Sequence, residues 1–388
     1  MLIIKEMYYL KKKILIIGGS DSVYIKEYVE HILEADSSLN FTILTYSKER
    51  YLDFYKKHHI KLVLMPEYCQ EHFKLKTYYK FLLTMLRGKF DYIHVQAVFY
   101  NAVKLATIIS GKKGKVILSY WAYPTDRAEI KKIYPLLKYV YKISFVTKSL
   151  KKEFQNIYGH RYDSKISCMD LYLGGMETMK RMQKNKNLKE LRYLAKRKMG
   201  FNYDKIVVAV GYCGRKDQQH LKVLYQLGKM SDEILKMIHI FIHVSYGITD
   251  ESYIRQIEIY TRTLIRRGCI CEVSREYLEG NKLGYLRFGI DIFINSVVQD
   301  VLSSSLLEYL CGGTVVLNGK WLNYKELEDY GIECVQYKSF EELPIKLEDC
   351  IKNIGTKLQE ENAKLVWKYL SWNSNKWLQL YTVSKVKK

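Results

Sequence analysis

The densest set of chemistry-bearing residues lies in Asp291–Val316, DIFINSVVQDVLSSSLLEYLCGGTVV. An apolar run ends at Asn295, a loop holds Asp300, and Ser303-Ser304-Ser305 opens a helix. Serines at that place cap a helix and expose backbone donors at its N-terminus, which attracts phosphate. Glu308 sits further inside the same helix. A carboxylate there offers two acceptor oxygens to a ribose or sugar hydroxyl pair. A second cluster, Val210-Gly211-Tyr212-Cys213-Gly214-Arg215-Lys216-Asp217, closes another apolar run. Gly214 lets a ligand approach the backbone, and Arg215 and Lys216 suit a pyrophosphate whose charge grows as a nucleotide departs. The plain alternative is an exposed loop with two solvated cations. Gly18 and Gly19, before Ser20, stand at the equivalent place near the start. They suit an anion at a helix N-terminus, or simply make a tight strand–helix turn. His220 begins the helix below the second loop, within reach of a donor, and His94 lies on an apolar run.

The elements that must position these residues follow from periodicity. Lys13–Ile17, Asn40–Thr45, Ile60–Met65, Asp91–Val95 and Lys115–Ser119 read as short strands. Helical stretches at Val23–Leu33, Lys48–His58 and Ala102–Ile109 separate them. The pattern then pauses, and Glu177–Met199 carries nine basic and two acidic residues. It resumes with strands at Lys205–Gly211, His239–Val244, Cys269–Val273, Asp291–Asn295, Thr314–Leu317 and Glu333–Val335. Helices are expected from Gln219, over Glu251–Arg267 and over Ser303–Cys311. Short apolar strands alternating with helices make parallel sheets covered on both faces. The fold class is therefore α/β, with two Rossmann-like doubly wound domains and a C-terminal helical tail. Such sheets bind ligands at the carboxyl ends of their strands, which places the expected site in a crevice between the domains. The expected division is 1–180, a basic linker at 181–200, 201–357, and a helical tail at 358–388.

The 388 residues are 48 % hydrophobic and 27 % charged, an ordinary globular balance. No apolar run is long enough to span a membrane, and the start, MLIIKEMYYLKKKILIIGG, has no small-residue cleavage site. A cytoplasmic protein is expected. The eight cysteines are scattered without C-x2-C spacing and read as thiols in a reducing compartment. Cys269 and Cys271 share one face of a strand but lack two further ligands for zinc, so no metal site is expected. Lys and Arg number 63 against 41 Asp and Glu, a net +22. That excess points to an anionic partner or surface, or to compositional drift in a chain rich in Lys, Ile and Tyr. No zinc spacing or RNP-like sequence supports nucleic acid.

The stretch from Asp300 to Val316 resembles the E-x7-E region of GT-B glycosyltransferases, especially family 4. Asp300 and Glu308 have the required spacing, with Asp in place of the first Glu. The opening KILIIGGSDS, the run DYIHVQ, and Ser119–Asp126 resemble the same family, although Ala122 replaces a glycine of its S-x-W-G-x-D turn. A second resemblance covers Val208–Gln256. There GYCGRKDQQHLKVL and HVSYGITDESYIRQI look like bacterial transferases that move 4-acetamido-4,6-dideoxygalactose from a dTDP donor, with Tyr212 and Cys213 replacing their Asn and Ser.

These resemblances imply two domains facing across a cleft and a metal-independent transferase with no cofactor beyond its nucleotide-sugar co-substrate. They imply that Glu308 holds the donor ribose, Asp300 the sugar hydroxyls, and Arg215 and Lys216 the pyrophosphate. His94 is expected at a strand end facing the cleft, positioning a hydroxyl. The expected acceptor is a saccharide or a polyprenyl-linked saccharide of surface polysaccharide assembly. A nucleotide-sugar 2-epimerase and a non-catalytic assembly subunit are the rival readings. Two basic–aromatic segments, Phe73–Phe90 and Lys131–Lys142, suggest peripheral contact with an anionic inner membrane surface, or helices packing apolar faces inward.

Overall fold

The computed structural model describes residues 12–45, 50–65, 75–96, 98, 100–110, 115–121, 131–169, 175–184, 186–355 and 357–382. The chain forms two compact units. One comprises Met1–Tyr172 with Trp372–Lys388, the other Leu173–Ser371.

The first unit contains β1 (Lys13–Ile17), α1 (Val23–Ala35), β2 (Asn40–Thr45), α2 (Leu52–Lys57), β3 (Lys61–Leu64), α3 (Leu75–Gly88), β4 (Tyr92–Val95), α4 (Tyr100–Ser110), β5 (Lys115–Tyr120), β6 (Lys142–Phe145), α5 (Lys148–Tyr158) and β7 (Ile166–Cys168). Its seven-stranded sheet has the order β3-β2-β1-β4-β5-β6-β7. β1 pairs in parallel with both β2 and β4, so Ile14 lies opposite Phe41 on one side and Tyr92 on the other. The order reverses between β1 and β4, the topological switch point of this sheet. The inner strands are fully covered: Ile14, Leu15 and Ile16 have no exposed surface, and neither do Val116, Ile117 and Leu118. Continuous apolar runs of this kind suit strands buried on both faces.

The second unit contains α6 (Met176–Gln183), α7 (Leu188–Met199), β8 (Ile206–Val210), α8 (His220–Leu227), α9 (Asp232–Met237), β9 (Ile238–His243), α10 (Glu251–Arg266), β10 (Ile270–Ser274), α11 (Gly280–Gly289), β11 (Ile292–Asn295), α12 (Ser304–Cys311), β12 (Val315–Gly319), α13 (Lys325–Asp329), β13 (Val335–Tyr337), α14 (Leu343–Lys352) and α15 (Lys357–Tyr369). Its six-stranded parallel sheet has the order β10-β9-β8-β11-β12-β13, reversing between β8 and β11. Val208, Ile240, Ile292 and Leu317 meet Val223, Ile254 and Leu347 from the helices in one core. Side-chain caps fix the helix starts. Asn187 Oδ1 accepts from Glu190 N on α7, Asp250 Oδ1 from Ser252 N on α10, and Ser303 Oγ from Leu306 N on α12.

Three expectations change. The basic stretch 181–200 is no linker. It forms the end of α6 and all of α7, and its cations bind inside the second unit. Lys196 Nζ pairs with Asp291 Oδ2 at 2.6 Å, and Arg192 donates to the carbonyls of Gly312 (3.0 Å) and Gly313 (2.6 Å), which end α12. The tail 358–388 is not one element either. α15 belongs to the second unit, whereas Trp372 onward, with α16 (Ser374–Leu378), belongs to the first. There Trp377 is fully buried, stacked on Trp121 at 5.5 Å and on Trp372 at 5.4 Å. Finally, the strand pattern does not pause after β5. KISF and ISC add β6 and β7, and both are too short and too polar to stand out as apolar runs.

Candidate functional site

Two glycine turns and two helix starts frame the switch point of the second sheet. After β8 the chain turns at Gly211, whose φ of +64° only glycine adopts without strain. A Cβ there would lie 2.6 Å from Nε2 of His220. Gly214 N donates to Tyr246 O at 2.8 Å, which ties this loop to the turn after β9. After β11 the chain crosses the β8 loop: Val298 N donates to Asp217 O (2.8 Å), Ser296 Oγ to Gln218 O (2.7 Å), and Gln219 Nε2 to Ser296 O (2.6 Å). The two loops are thus one bonded unit. Two non-glycine residues sit in the left-handed region here, Gln219 (φ 56°) at the start of α8 and Leu302 (φ 64°) before α12. Such strain persists only where surrounding structure holds it, and it clusters at functional sites.

The interior of this bonded unit holds polar atoms with no protein partner. His220 is fully buried and its Nε2 is unpaired, while Nδ1 lies 3.4 Å from Tyr253 OH. Burial pushes its pKa down to about 4, so the ring is neutral at pH 7. Gln218, also fully buried, accepts from Tyr212 N through Oε1 (3.2 Å), but its Nε2 has no partner. Asn295 ends β11 opposite Asn318 of β12. Its Nδ2 donates to Asn318 Oδ1 and to Tyr324 OH, both at 2.9 Å, and its Oδ1 is left without a donor. Buried orphans are costly unless something binds them. Three together, at the sheet's switch point, mark a place for a polar ligand.

Asp300 joins this network. Its Oδ2 accepts from Tyr324 OH (2.8 Å) and Ser303 N (3.1 Å), and its Oδ1 from Val301 N (2.8 Å). Burial raises its pKa above the ordinary aspartate value despite these donors. Arg215 and Lys216 stand on the exposed rim, each paired with a carboxylate. Arg215 reaches Asp217 through Nε (3.1 Å) and a terminal nitrogen (2.8 Å), and Lys216 Nζ reaches Asp250 at 2.7 Å. At the α12 start, Ser303 caps the helix and Ser305 Oγ accepts from Arg287 (3.1 Å). Ser304 is the first helical residue. The structure therefore brings together Gly214, Arg215, Lys216 and His220 from one loop, and Asp300, Ser303, Ser304 and Ser305 from its partner.

Two sequence candidates, Glu308 and His94, lie differently from expectation. Glu308 is buried, and both carboxylate oxygens are taken: Oε2 by Arg287 Nε at 2.8 Å and Oε1 by Gly175 N at 2.9 Å. It anchors an internal ion pair, with Arg287 also over the Tyr309 ring at 4.3 Å. Each oxygen thus already accepts one protein donor, and a ribose would have to share them. His94 is not at an open strand end. It is fully buried in the first unit, with Nδ1 2.7 Å from Tyr381 OH and Nε2 2.6 Å from Ser119 Oγ. Both ring nitrogens are used, and burial lowers the pKa to about 3, so His94 is a packing histidine. Gly18 and Gly19 do end β1 at the first sheet's switch point. Gly18 there adjoins Gln96, a buried side chain whose amide has no partner at either end. The turn Ser119–Asp126 lies largely outside the described residues.

Sequence reasoning missed Arg287, Gln218, Asn295 and Tyr324. Asn295 and Asn318 carried a readable signal, since each is a polar residue near the end of a buried apolar strand. Arg287 carried none. Among the described residues no group of three His, Cys, Asp or Glu side chains is placed to hold a metal.

No protein-family model matches the sequence, and no curated protein matches it either. Solved structures do. A glycosyltransferase from Rickettsia africae superposes with a TM-score of 0.74 at 14 % identity, over 96 % of this chain and 98 % of its own. HepE from Anabaena, solved with UDP and glucose, gives 0.71 at 11 % identity, over 95 % and 98 %. The sucrose-phosphate synthase of Thermosynechococcus elongatus gives 0.70 at 12 % identity, over 95 % and 98 %. The chain therefore has the doubly wound two-unit α/β fold of these GT-B proteins.

Proposed function

We propose that this protein is a glycosyltransferase that takes a sugar from a nucleoside-diphosphate donor bound at the β8–β11 switch point. The observation that carries the reading is the set of buried, unpaired polar atoms under a cationic rim. Gln218 Nε2 and His220 Nε2 are unpaired beside Gly211, and Arg215 and Lys216 stand above them. With Tyr253 OH donating to Nδ1 of His220, Nε2 carries the hydrogen and donates to a phosphate oxygen. Arg215 and Lys216 exchange their carboxylate partners for the diphosphate and stabilise charge on the leaving group. They supply the countercharge that a metal would otherwise bring. The α12 start adds backbone donors on the other side. Asp300, fixed by Tyr324 and Ser303, accepts from the sugar hydroxyls. HepE, which shares this fold, is solved with UDP-glucose, and that supports a nucleotide-sugar donor.

The acceptor in this reading is a saccharide or polyprenyl-linked saccharide of surface polysaccharide assembly, met at the inner face of the cell membrane. The net charge of +22 supports an anionic surface. The deciding experiment incubates purified protein with UDP-, GDP- and dTDP-sugars and measures nucleoside diphosphate release and binding. The reading predicts that one donor is bound and slowly hydrolysed, and that Gln218→Ala and His220→Ala weaken that binding. Absence of binding to every donor would overturn it.

A further inference from the structure

We infer that α3 docks the protein on an anionic phospholipid surface through an exposed apolar stripe. This deepens the membrane part of the proposed function by naming the surface.

The helix LKTYYKFLLTMLRG has two apolar faces. Thr77, Phe81 and Met85 are buried in the first unit, and Tyr78 OH donates to Asn101 of α4 at 3.2 Å, which fixes the helix against its neighbour. Leu75, Tyr79, Leu82 and Leu86 point the other way, with exposures of 86, 63, 39 and 60 %. Their spacing of four, three and four residues keeps them within roughly 60° of arc at the helical 100° per residue. Single exposed apolar residues are ordinary, but four large ones in a continuous stripe mark an interaction surface.

Charge selects the partner. Lys76, Lys80 and Arg87 border the stripe, all exposed, and Lys89 follows just beyond the helix. α3 contains no acidic residue, and no carboxylate among the described residues pairs with these cations. Two copies of this chain meeting through α3 would set cations against cations. An anionic leaflet meets both features at once: the leucines enter the acyl boundary, the Tyr79 ring settles at headgroup level, and the cations meet phosphates.

The second basic–aromatic segment is built differently. Tyr134–Tyr139 is a short 3-10 turn with Leu137 buried, and Lys165 Nζ donates to the carbonyls of Lys138 (2.9 Å) and Val140 (2.7 Å). It is held to the body of the unit and offers no stripe.

The test is co-sedimentation of the full chain with phosphatidylcholine vesicles, with and without phosphatidylglycerol. No donor or acceptor is present, so failure here and failure of the transferase reading are distinguishable. Expected is binding that needs phosphatidylglycerol and falls as salt is raised. Leu82→Ser with Leu86→Ser should lower it about tenfold, and so should Lys76→Gln, Lys80→Gln and Arg87→Gln together. All five side chains are exposed, so circular dichroism melts should match the wild type. Three results would overturn the inference: wild-type protein left in the supernatant at low salt, variants that bind like the wild type, or a lipid-free dimer that Leu82→Ser with Leu86→Ser disperses. The last result would make a second copy the occupant.

Discussion

Arg287 Nε donates to Glu308 Oε2 at 2.8 Å, and both side chains are almost entirely out of solvent. The pair joins α11 to α12, and through Gly175 N it also holds the chain just before α6. Burial works against the Arg287 charge, but the Tyr309 hydroxyl and the Glu308 carboxylate beside it hold the pKa above its usual value. Removing one partner leaves a buried charge uncompensated, at a cost of about 3–5 kcal/mol. Glu308→Ala is therefore expected to lower the urea midpoint sharply. Arg287→Met with Glu308→Met should recover most of the loss, because an apolar pair leaves no charge behind. A Glu308→Ala protein with the wild-type midpoint would show that the pair does not hold these helices.

Four buried histidines, His94, His220, His239 and His243, make the fold sensitive to acid, each with its pKa lowered by burial. Burial lowers His94 to about 3, and His220 and His239 to about 4. In the unfolded chain each titrates near 6.5, so below that pH the unfolded state binds protons that the native state refuses. The stability these groups contribute is present above about pH 6.5 and is lost as pH falls toward 4, at up to about 1.4 kcal/mol per pH unit for each. Urea midpoints at pH 7, 6 and 5 should fall progressively. His94→Gln, which keeps polar atoms near Tyr381 and Ser119 but cannot charge, should flatten the slope. An unchanged slope would remove His94 from this account.

The strands were legible because buried parallel strands must be short apolar runs. The run Lys13–Ile17 is β1 residue for residue, and Asn40–Thr45 is β2. The switch-point loops were legible for the same reason, since each follows such a run. What the sequence hid is pairing at a distance. Nothing local tells that His94 will spend its Nδ1 on Tyr381, 287 positions away, or that Arg287 will reach Glu308 across 21. The family resemblance placed His94 at the cleft, and the spacing from Asp300 made Glu308 look open. The fold decides both, by burying them beside a partner.

Under the proposed function, Asp300 carries a conflict between stability and donor binding. Burial raises its pKa, so the native state prefers the protonated acid, and stability is lost as pH rises through that raised value. Asp300→Asn can still accept from the Tyr324 hydroxyl and the Ser303 amide through its carbonyl oxygen, but its amide nitrogen then faces the Val301 N–H and leaves that donor unpaired. Removing the buried carboxyl and losing the Val301 acceptor oppose each other, so it should melt near the wild-type temperature at pH 7, while donor turnover falls steeply. Tyr324→Phe removes a donor that favours the ionised carboxylate. The acidic limb of the pH–rate profile should therefore move to higher pH in that variant. A limb that stays in place, or moves down, would separate Tyr324 from Asp300.

The rim cations are already paired, and this sets the last expectation. Arg215 is held by Asp217 and Lys216 by Asp250, and all four side chains are at least one-third solvated or close to it. Exposed pairs of this kind are weak and exchange readily for a better anion. A diphosphate is such an anion, since its charge is higher and its oxygens accept several donors at once. The Lys216 ammonium and Ser252 hold the Asp250 carboxyl below its usual range, so the competitor stays charged at every working pH. Arg215→Ala and Lys216→Ala should each weaken nucleoside diphosphate binding, roughly tenfold or more. Asp217→Asn and Asp250→Asn should act in the opposite direction, by freeing the cation each carboxylate occupies. Asn at 250 can still cap α10 through its carbonyl oxygen, so the gain should come without loss of folding. Added salt should erase the difference between wild type and the Asn variants, because it screens the competing pair. Titration calorimetry with UDP, GDP and dTDP reads all four variants. If the two Asn variants bind no better than wild type while the Ala variants bind as well as it, the rim is only solvated and the phosphates must be held by other groups.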